Sequence, residues 1–262
     1  MISGDREVEL RMLAKSLFEA RTGVSPFVEL PDALVPRSLE EAYFVQGDLA
    51  RFFASHSRNG VGGWKVGATS PAATPLFAPM VSRWIAPSAS VVAEPAQRLR
   101  GLEAEIAFLI GRDLPRRARS YTRSEIVDSI ESCHPAIEVL ETGLAETLRN
   151  VRLAAIADLQ MHGGFVYGAP LRHWHEIDFA QESVTLSVDG KTRIECRASN
   201  PAGVDLIRLV LYLANEGSVR TDGLKSGTWI TTGSWTGKTF ASACSVVEVR
   251  FSSVGSVSLR FP

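Results

Sequence analysis

Cysteine is scarce in this chain. Cys133, Cys196 and Cys244 are odd in number and far apart. Neither a disulfide frame nor a zinc spacing can be built from them, and they are expected to be reduced, cytosolic and structural. A surplus of one charge is also missing. The 28 Lys and Arg face 29 Asp and Glu, for a formal net charge of −1 with no basic block, which argues against nucleic acid as a partner. No run of about 18 apolar residues occurs, so no membrane span is expected. Residues 1–6 lack the apolar core of a signal peptide, and the expected location is the cytoplasm. No Gly-x-Ser-x-Gly is present, which argues against an α/β-hydrolase. Residues 233–239 fall short of a phosphate loop. Its first glycine would stand at position 232, which is threonine, and the stretch after it reads as strand, without the helix dipole a phosphate needs.

What the chain has is enough apolar content, 45% of 262 residues, for one large domain or a domain with a small cap. Leu10, Leu13, Ala14, Leu17 and Ala20 share a helical face over residues 7–21. Pro26, Pro31 and Pro36 then punctuate a loop. Ser38, with Glu41 three residues on, forms a capping-box signature for a second helix. Residues 1–60 thus read as an N-terminal helical region, and 61–262 as a separate sheet domain. Residues 71–100, rich in Pro and Ala, are expected to be loop with one strand at 90–92. Thr122 and Glu125 cap a helix expected to reach 132. Residues 144–159 read as helical and 163–168 as strand. Asp189-Gly190 between two β-rich runs is a type I′ hairpin signal. Asn200-Pro201 is expected to open an amphipathic helix closed by Gly217. Three further strands are expected at 229–234, 244–251 and 256–261. Without regular βαβ alternation, the class is α+β with a mixed sheet.

The chemistry concentrates in residues 102–110. Ala104, Ile106, Phe108 and Ile110 fall on one side of a period-2 pattern, Glu103 and Glu105 on the other. Two carboxylates on one face of a core strand, with no basic neighbour, repel unless one takes a proton or a cation joins them. A second apolar run, 135–141, carries Glu138 at its centre. Three acids from two strands suffice for a hard divalent ion such as Mg²⁺ or Mn²⁺ with open positions left over. The plainer alternative is a solvent-facing edge strand. Lys65 sits in a short strand hemmed by Gly62, Gly63 and Gly67; it is either a solvated strand lysine or one that glycines let a ligand approach. His173 and His175 read as a surface turn, and His56, His134 and His162 as single histidines without a pattern.

Four stretches together resemble the fumarylacetoacetate hydrolase superfamily, in its 2-keto-4-pentenoate hydratase and 4-oxalocrotonate decarboxylase branch. They are Glu41-Ala42-Tyr43-Phe44-Val45-Gln46, the run from Gly63 through Lys65 to Ser70, the Glu103/Glu105 strand, and Pro135-Ala136-Ile137-Glu138-Val139. Ile230-Thr231-Thr232-Gly233-Ser234 is similar to a fifth, C-terminal motif. The resemblance implies a twisted β-roll behind an N-terminal helical cap. It implies Mg²⁺ or Mn²⁺ on Glu103, Glu105 and Glu138, an active-site lysine at Lys65, and a homodimer or larger assembly of dimers. It implies a small 2-keto acid substrate, with Thr232 and Gly233 holding its carboxylate by hydroxyl and amide. The expected activity is hydration of a 2-hydroxy-2,4-dienoate. Decarboxylation of an oxalocrotonate, C–C hydrolysis of an acylpyruvate, and a non-catalytic binding role are the alternatives. Hydrolysis would need a His/Glu pair, for which His56 is the candidate. Two departures from the branch stand out. Leu140-Glu141-Thr142-Gly143 replaces its usual Val-Asp-Ser-Arg, and Ala157-Asp158-Leu159 its Ala-Asp-Asn.

Overall fold

A computed structural model describes residues 2, 4–23, 30–55, 60–93 and 98–262. Pro26 and His56 lie outside the described residues. The chain opens with helices α1 (Gly4–Arg21) and α2 (Leu39–Ser55). The periodic face of α1 is fully buried, from Leu10 through Leu17. It packs with Val45, Leu49 and Phe53 of α2 and with Trp84, Ile156 and Leu159 in one apolar cluster. Half of the capping box at α2 forms: Ser38 Oγ accepts from the Glu41 amide at 3.2 Å. The Glu41 carboxylate turns instead to the Arg37 amide and to Arg6 of α1, which it meets at 2.7 Å. A nearby guanidinium outcompetes the backbone donor because both partners are charged.

The next elements are β1 (Val61–Gly67), β2 (Leu76–Val81), β3 (Ile85–Pro87) and β4 (Ser90–Val91). The loop expected over 71–100 therefore holds three strands. The prolines concealed them, yet β2 is an edge strand in the hydrogen-bonded order, where Pro79 costs no ladder bond. After β5 (Gly101–Ile110) comes α3 (Arg123–Ser129), opened by the complete Thr122/Glu125 capping box. This helix ends earlier than expected, because β6 (Ile130–Leu140) begins at once. The helix expected over 144–159 shrinks to α4 (Arg152–Ala157), followed by β7 (His162–Tyr167). The hairpin β8 (Ser183–Val188) and β9 (Lys191–Arg197) turns on Asp189 and Gly190, both at positive φ as type I′ requires. Helix α5 (Ile207–Asn215) starts later than Asn200. The chain closes with β10 (Trp229–Ser234), β11 (Thr239–Phe240), β12 (Val246–Phe251) and β13 (Gly255–Arg260).

Two mixed sheets result. One has eight strands, in the order β2-β1-β10-β5-β6-β7-β3 with β11 paired to β5; the other has five, in the order β4-β13-β12-β8-β9. The main core lies between them. Leu102, Ala104, Ile106 and Phe108 of β5 meet Val247 and Val249 of β12, Leu186 of β8 and Leu209 of α5. The opposite face of the large sheet is different. Met80 of β2 and Phe165 of β7 meet across it with Ala107 and Ala136, so the sheet curls around this face. Pairing registers place Lys65 beside Thr231, Thr231 beside Ala107, Glu105 beside Ala136, and Glu103 beside Glu138. Cross-strand partners share a face, so lysine and acids all lie on the curled side. The α+β class, the roll and the N-terminal helices are as the sequence implied. No described helix is long and apolar enough to cross a membrane.

Candidate metal centre and active site

Three strands bring the acids and the lysine together. Glu103, Glu105 and Glu138 each offer a carboxylate oxygen, and these lie within 4.8 Å of one another. The edge-strand alternative for Glu103 and Glu105 is thereby set aside, since β5 lies inside its sheet with Glu105 buried. Lys65 Nζ donates to Glu138 Oε1 at 2.6 Å and to the Gln160 carbonyl at 3.2 Å. Its ammonium is nearly buried, which disposes of the solvated-lysine alternative.

Electrostatics in the cluster follow from burial and crowding. Desolvation pushes Glu105 well above the usual carboxylate range, and the charges of Glu138 and Glu103 push the same way. Glu103 is raised by burial, with Lys65 and Lys238 opposing. Glu138 is buried too, yet Lys65 and His162 hold it well below its ordinary value. For Lys65, burial works downward, but the three carboxylates outweigh it and raise the pKa. Carboxylates that destabilise one another in a buried space are the donor set of a hard cation. A further observation fits such an ion: Glu138 Oε2 is buried with no hydrogen-bond partner among the described residues. An orphaned anionic oxygen at that depth is costly unless something outside the chain meets it.

Further side chains hold these acids in place. His162 Nδ1 lies 3.1 Å from Glu138 Oε1, and both side chains are fully buried. Burial lowers the imidazole pKa against the pull of Glu138. A neutral ring then donates Nδ1–H to the carboxylate and fixes its orientation. Read as an isolated histidine, His162 gave no signal, because its partner lies one strand away. Thr231 Oγ1 donates to Glu105 Oε2 in a very short bond, and the Gly233 amide donates to the same oxygen at 2.9 Å. Gly233 sits at positive φ in the irregular end of β10, a backbone shape glycine adopts without strain. Thr232 is a correction. Strand alternation points it away from the acids, and its hydroxyl bonds the Ile106 carbonyl at 2.6 Å. Thr231 is the threonine on the site face. Asn200, expected to open a helix, donates from its side chain to the carbonyls of Thr232 and Gly233 at 2.9 and 3.1 Å.

The two sequence departures fall together beneath the site. Asp158 accepts from the Thr142 hydroxyl and the Gly143 amide, and it pairs with Arg21 of α1. Arg21 also donates to the carbonyls of Asp158 and His162 at 2.8 Å and of Glu141 at 3.0 Å. Between Asp158 and His162, Leu159, Gln160 and Met161 are all left-handed, at φ of 53°, 50° and 62°. Each such residue costs about 1–2 kcal/mol, so this turn persists only if held. Arg21 holds both of its ends, and its middle carbonyl is the one that meets Lys65. Gly143 leaves room for α1: a Cβ there would lie 3.0 Å from the Leu17 carbonyl.

Above the acids opens a cavity of about 830 Å³, lined by Lys65, Glu103, Glu105, Gln160, Asn200 and Gly233, among others. Such a space suits a small organic ligand.

A curled mixed sheet of a β-roll carries three acids and a lysine beside a cavity, the donor set of a candidate metal centre. The family model for the C-terminal domain of fumarylacetoacetate hydrolase matches residues 53–261, and the chain belongs to that family. Within it the chain fits the 2-keto-4-pentenoate hydratase and 4-oxalocrotonate decarboxylase branch. It is 25% identical over 256 residues to a 2-keto-4-pentenoate hydratase of Paraburkholderia xenovorans strain LB400, covering 95% of this chain and 93% of that one. It is 23% identical over 228 residues to a 4-oxalocrotonate decarboxylase of Pseudomonas putida, with 84% of each covered. The solved 4-oxalocrotonate decarboxylase from Pseudomonas putida G7, complexed with magnesium and adipate, superposes with a TM-score of 0.82 at 22% identity, over 97% of both chains. That enzyme also exists as a complex with calcium and acetate. The relatives are named as enzymes, which supports an enzyme here.

Proposed function

We propose that this protein is a divalent-metal-dependent lyase, a hydratase that adds water to a 2-hydroxy-2,4-dienoate to give a 4-hydroxy-2-keto acid. The observation that carries this reading is the meeting of Glu103, Glu105 and Glu138 beside Lys65 at a ligand-sized cavity. Mg²⁺ or Mn²⁺ held by the three acids would supply Lewis-acid stabilisation to the carboxylate and C2 oxygen of the keto acid.

The remaining steps belong to the chain. Lys65 Nζ, charged and fixed by Glu138 and the Gln160 carbonyl, gives its proton to the terminal carbon of the dienol. The enol hydroxyl loses its proton to solvent as its oxygen becomes the carbonyl, and the dienol becomes an α,β-unsaturated ketone. A cation held by Glu103, Glu105 and Glu138 would offset the charges that raise the Lys65 pKa. Lys65 as free amine then accepts a proton from the water that adds at the far carbon of the enone, and the resulting enolate takes a proton from solvent at C3 to give the 4-hydroxy-2-keto acid. Thr231 and the Gly233 amide keep Glu105 in place, and His162 keeps Glu138 in place. We further infer that residues 1–60 act as a cap whose Arg21 braces the turn under Lys65, and that the assembly is a homodimer or larger.

Decarboxylation of an oxalocrotonate through the same enolate is the second reading, supported by the curated relative of that name. The hydrolase reading loses support. A His/Glu pair does exist, His162 with Glu138, but the imidazole is fully buried with its Nδ1 held on the carboxylate. The binding-protein reading also weakens, because Glu141, Asp158 and Gly143 build scaffold and leave acids and lysine intact. A panel of 2-hydroxydienoic and 2-keto acids, followed by ultraviolet absorbance and by CO₂ release, tests the proposal. Magnesium-dependent loss of the dienol band without CO₂ is expected. No turnover of any acid after chelation and magnesium titration would count against it.

A further inference from the structure

We infer that Lys238, on the loop between β10 and β11, is a further ligand-binding residue of this site, reaching over the cavity mouth to meet the carboxylate of a keto acid seated on the metal centre. The inference rests on the metal-site reading above and adds a residue to it.

Lys238 belongs to the stretch 233–239 that falls short of a phosphate loop, and the fold gives that stretch another place. Lys238 lines the same cavity as the acids. The residue is exposed on its loop, yet its Nζ turns back to the sulfur of Met161, 3.9 Å away. Met161 is buried and closes the left-handed turn whose Gln160 carbonyl receives Lys65. Two lysines, one from β1 and one from the loop after β10, thus end on neighbouring residues of one turn. A thioether is a weak acceptor and carries no charge. Among the described residues this sulfur is the only hydrogen-bond partner of Lys238 Nζ, which forms no ion pair. Burial raises the Glu103 carboxyl, with Lys65 and Lys238 pulling against it. The second ammonium therefore lies within electrostatic reach of an acid with which it does not pair.

Charge balance gives such a cation its use. With a divalent ion on Glu103, Glu105 and Glu138, the three carboxylates are matched by the ion and Lys65 together. A keto acid brings one more negative charge. Leu76, Leu140, Ala155 and Ile156 give the cavity apolar wall, so that charge is poorly solvated and a nearby ammonium counts for more than in water. A flexible side chain with three donors loses little by leaving a thioether for a carboxylate oxygen. A lysine merely solvated on its loop would account for the exposure, but not for an Nζ drawn back to a buried sulfur beside the acids.

The test titrates Mg²⁺ alone, and then oxalate at saturating Mg²⁺, into the full chain as wild type, K238M, K238Q and K238R by calorimetry. Taking a cation away from Glu103 should leave Mg²⁺ bound at least as tightly as in the wild type. Oxalate affinity should nevertheless fall at least about fivefold in K238M and K238Q, and K238R should stay within that factor of the wild type. The loss should shrink as salt is raised, because the ammonium is open to solvent. Thermal melts report whether each variant is folded. A smaller loss of oxalate affinity in the folded variants, or a matching loss of Mg²⁺ affinity, would overturn the inference while leaving the metal reading intact. Failure of oxalate to bind the wild type at saturating Mg²⁺ would instead overturn the metal reading, and the inference with it.

Discussion

Replacing Arg21 by methionine should destabilise the protein and slow the reaction, although Arg21 is remote from the cavity lining. Its guanidinium and the Asp158 carboxylate are both fully buried. Methionine approximates the aliphatic stem, so little cavity is created, but every donor is lost. Asp158 would keep the Thr142 hydroxyl and the Gly143 amide. The carbonyls of Glu141, Asp158 and His162 would lose a donor each. Breaking one side of a buried pair costs about 3–5 kcal/mol. At roughly 2–4 °C per kcal/mol for a chain of this size, the melting temperature should fall by about 6–20 °C. The left-handed turn at residues 159–161 also loses the group that ties its ends, so Gln160 should no longer hold Lys65 in register. Urea denaturation and thermal melts of wild type, Arg21→Met, Asp158→Asn and the double variant give the stability and the coupling, expected at about 1–3 kcal/mol. Turnover at a temperature where the variant is folded gives the functional part, expected as a fall in kcat larger than any change in KM. A stability loss under about 1 kcal/mol, the value of an exposed pair, with kcat unchanged, would refute the bracing role.

Other outcomes follow from the same geometry. Lys65→Met should lower kcat by about a hundredfold or more while the protein still binds Mg²⁺ with a keto acid, measured by stopped-flow and calorimetry. Thr231→Val should weaken magnesium binding by about tenfold or more. Thr232→Val should affect stability and leave the metal affinity close to wild type, since its hydroxyl bonds the Ile106 carbonyl on the far side of the strand. Acid should erase the contribution of the α3 cap. Bonds from Arg117 and the Thr122 amide lower the Glu125 pKa from 4.5 to about 2. Stability from a depressed carboxyl is present above the unfolded value and disappears as pH falls through the folded one. The melting-temperature difference between wild type and Glu125→Gln should therefore be full above pH 4.5 and gone near pH 2.

The parts legible from sequence were those with local periodicity. Glu103 and Glu105 alternate with buried aliphatics, and alternation alone puts both on one face. Thr122 with Glu125, and Asp189 with Gly190, are short-range signals that need no tertiary partner. What stayed hidden depends on distant neighbours. Pro79 reads as loop until β2 is known to be an edge strand. Asn200 reads as a helix start until β10 presents its carbonyls. His162 and Arg21 find their charged partners 24 and 137 residues away, distances at which no spacing rule operates. The resemblance points to Thr232; the strand's period of two, anchored on Lys65 through the β1–β10 register, puts Thr231 on the site face.

The central claim is that three carboxylates grip an ion and the ion grips a keto acid. Calorimetric titration of oxalate into the protein, with and without Mg²⁺, tests it most directly. Binding only when Mg²⁺ is present, and loss of that binding in a folded Glu105→Gln variant, is the expected result. Oxalate binding that is indifferent to Mg²⁺, or undiminished by Glu105→Gln, would contradict it.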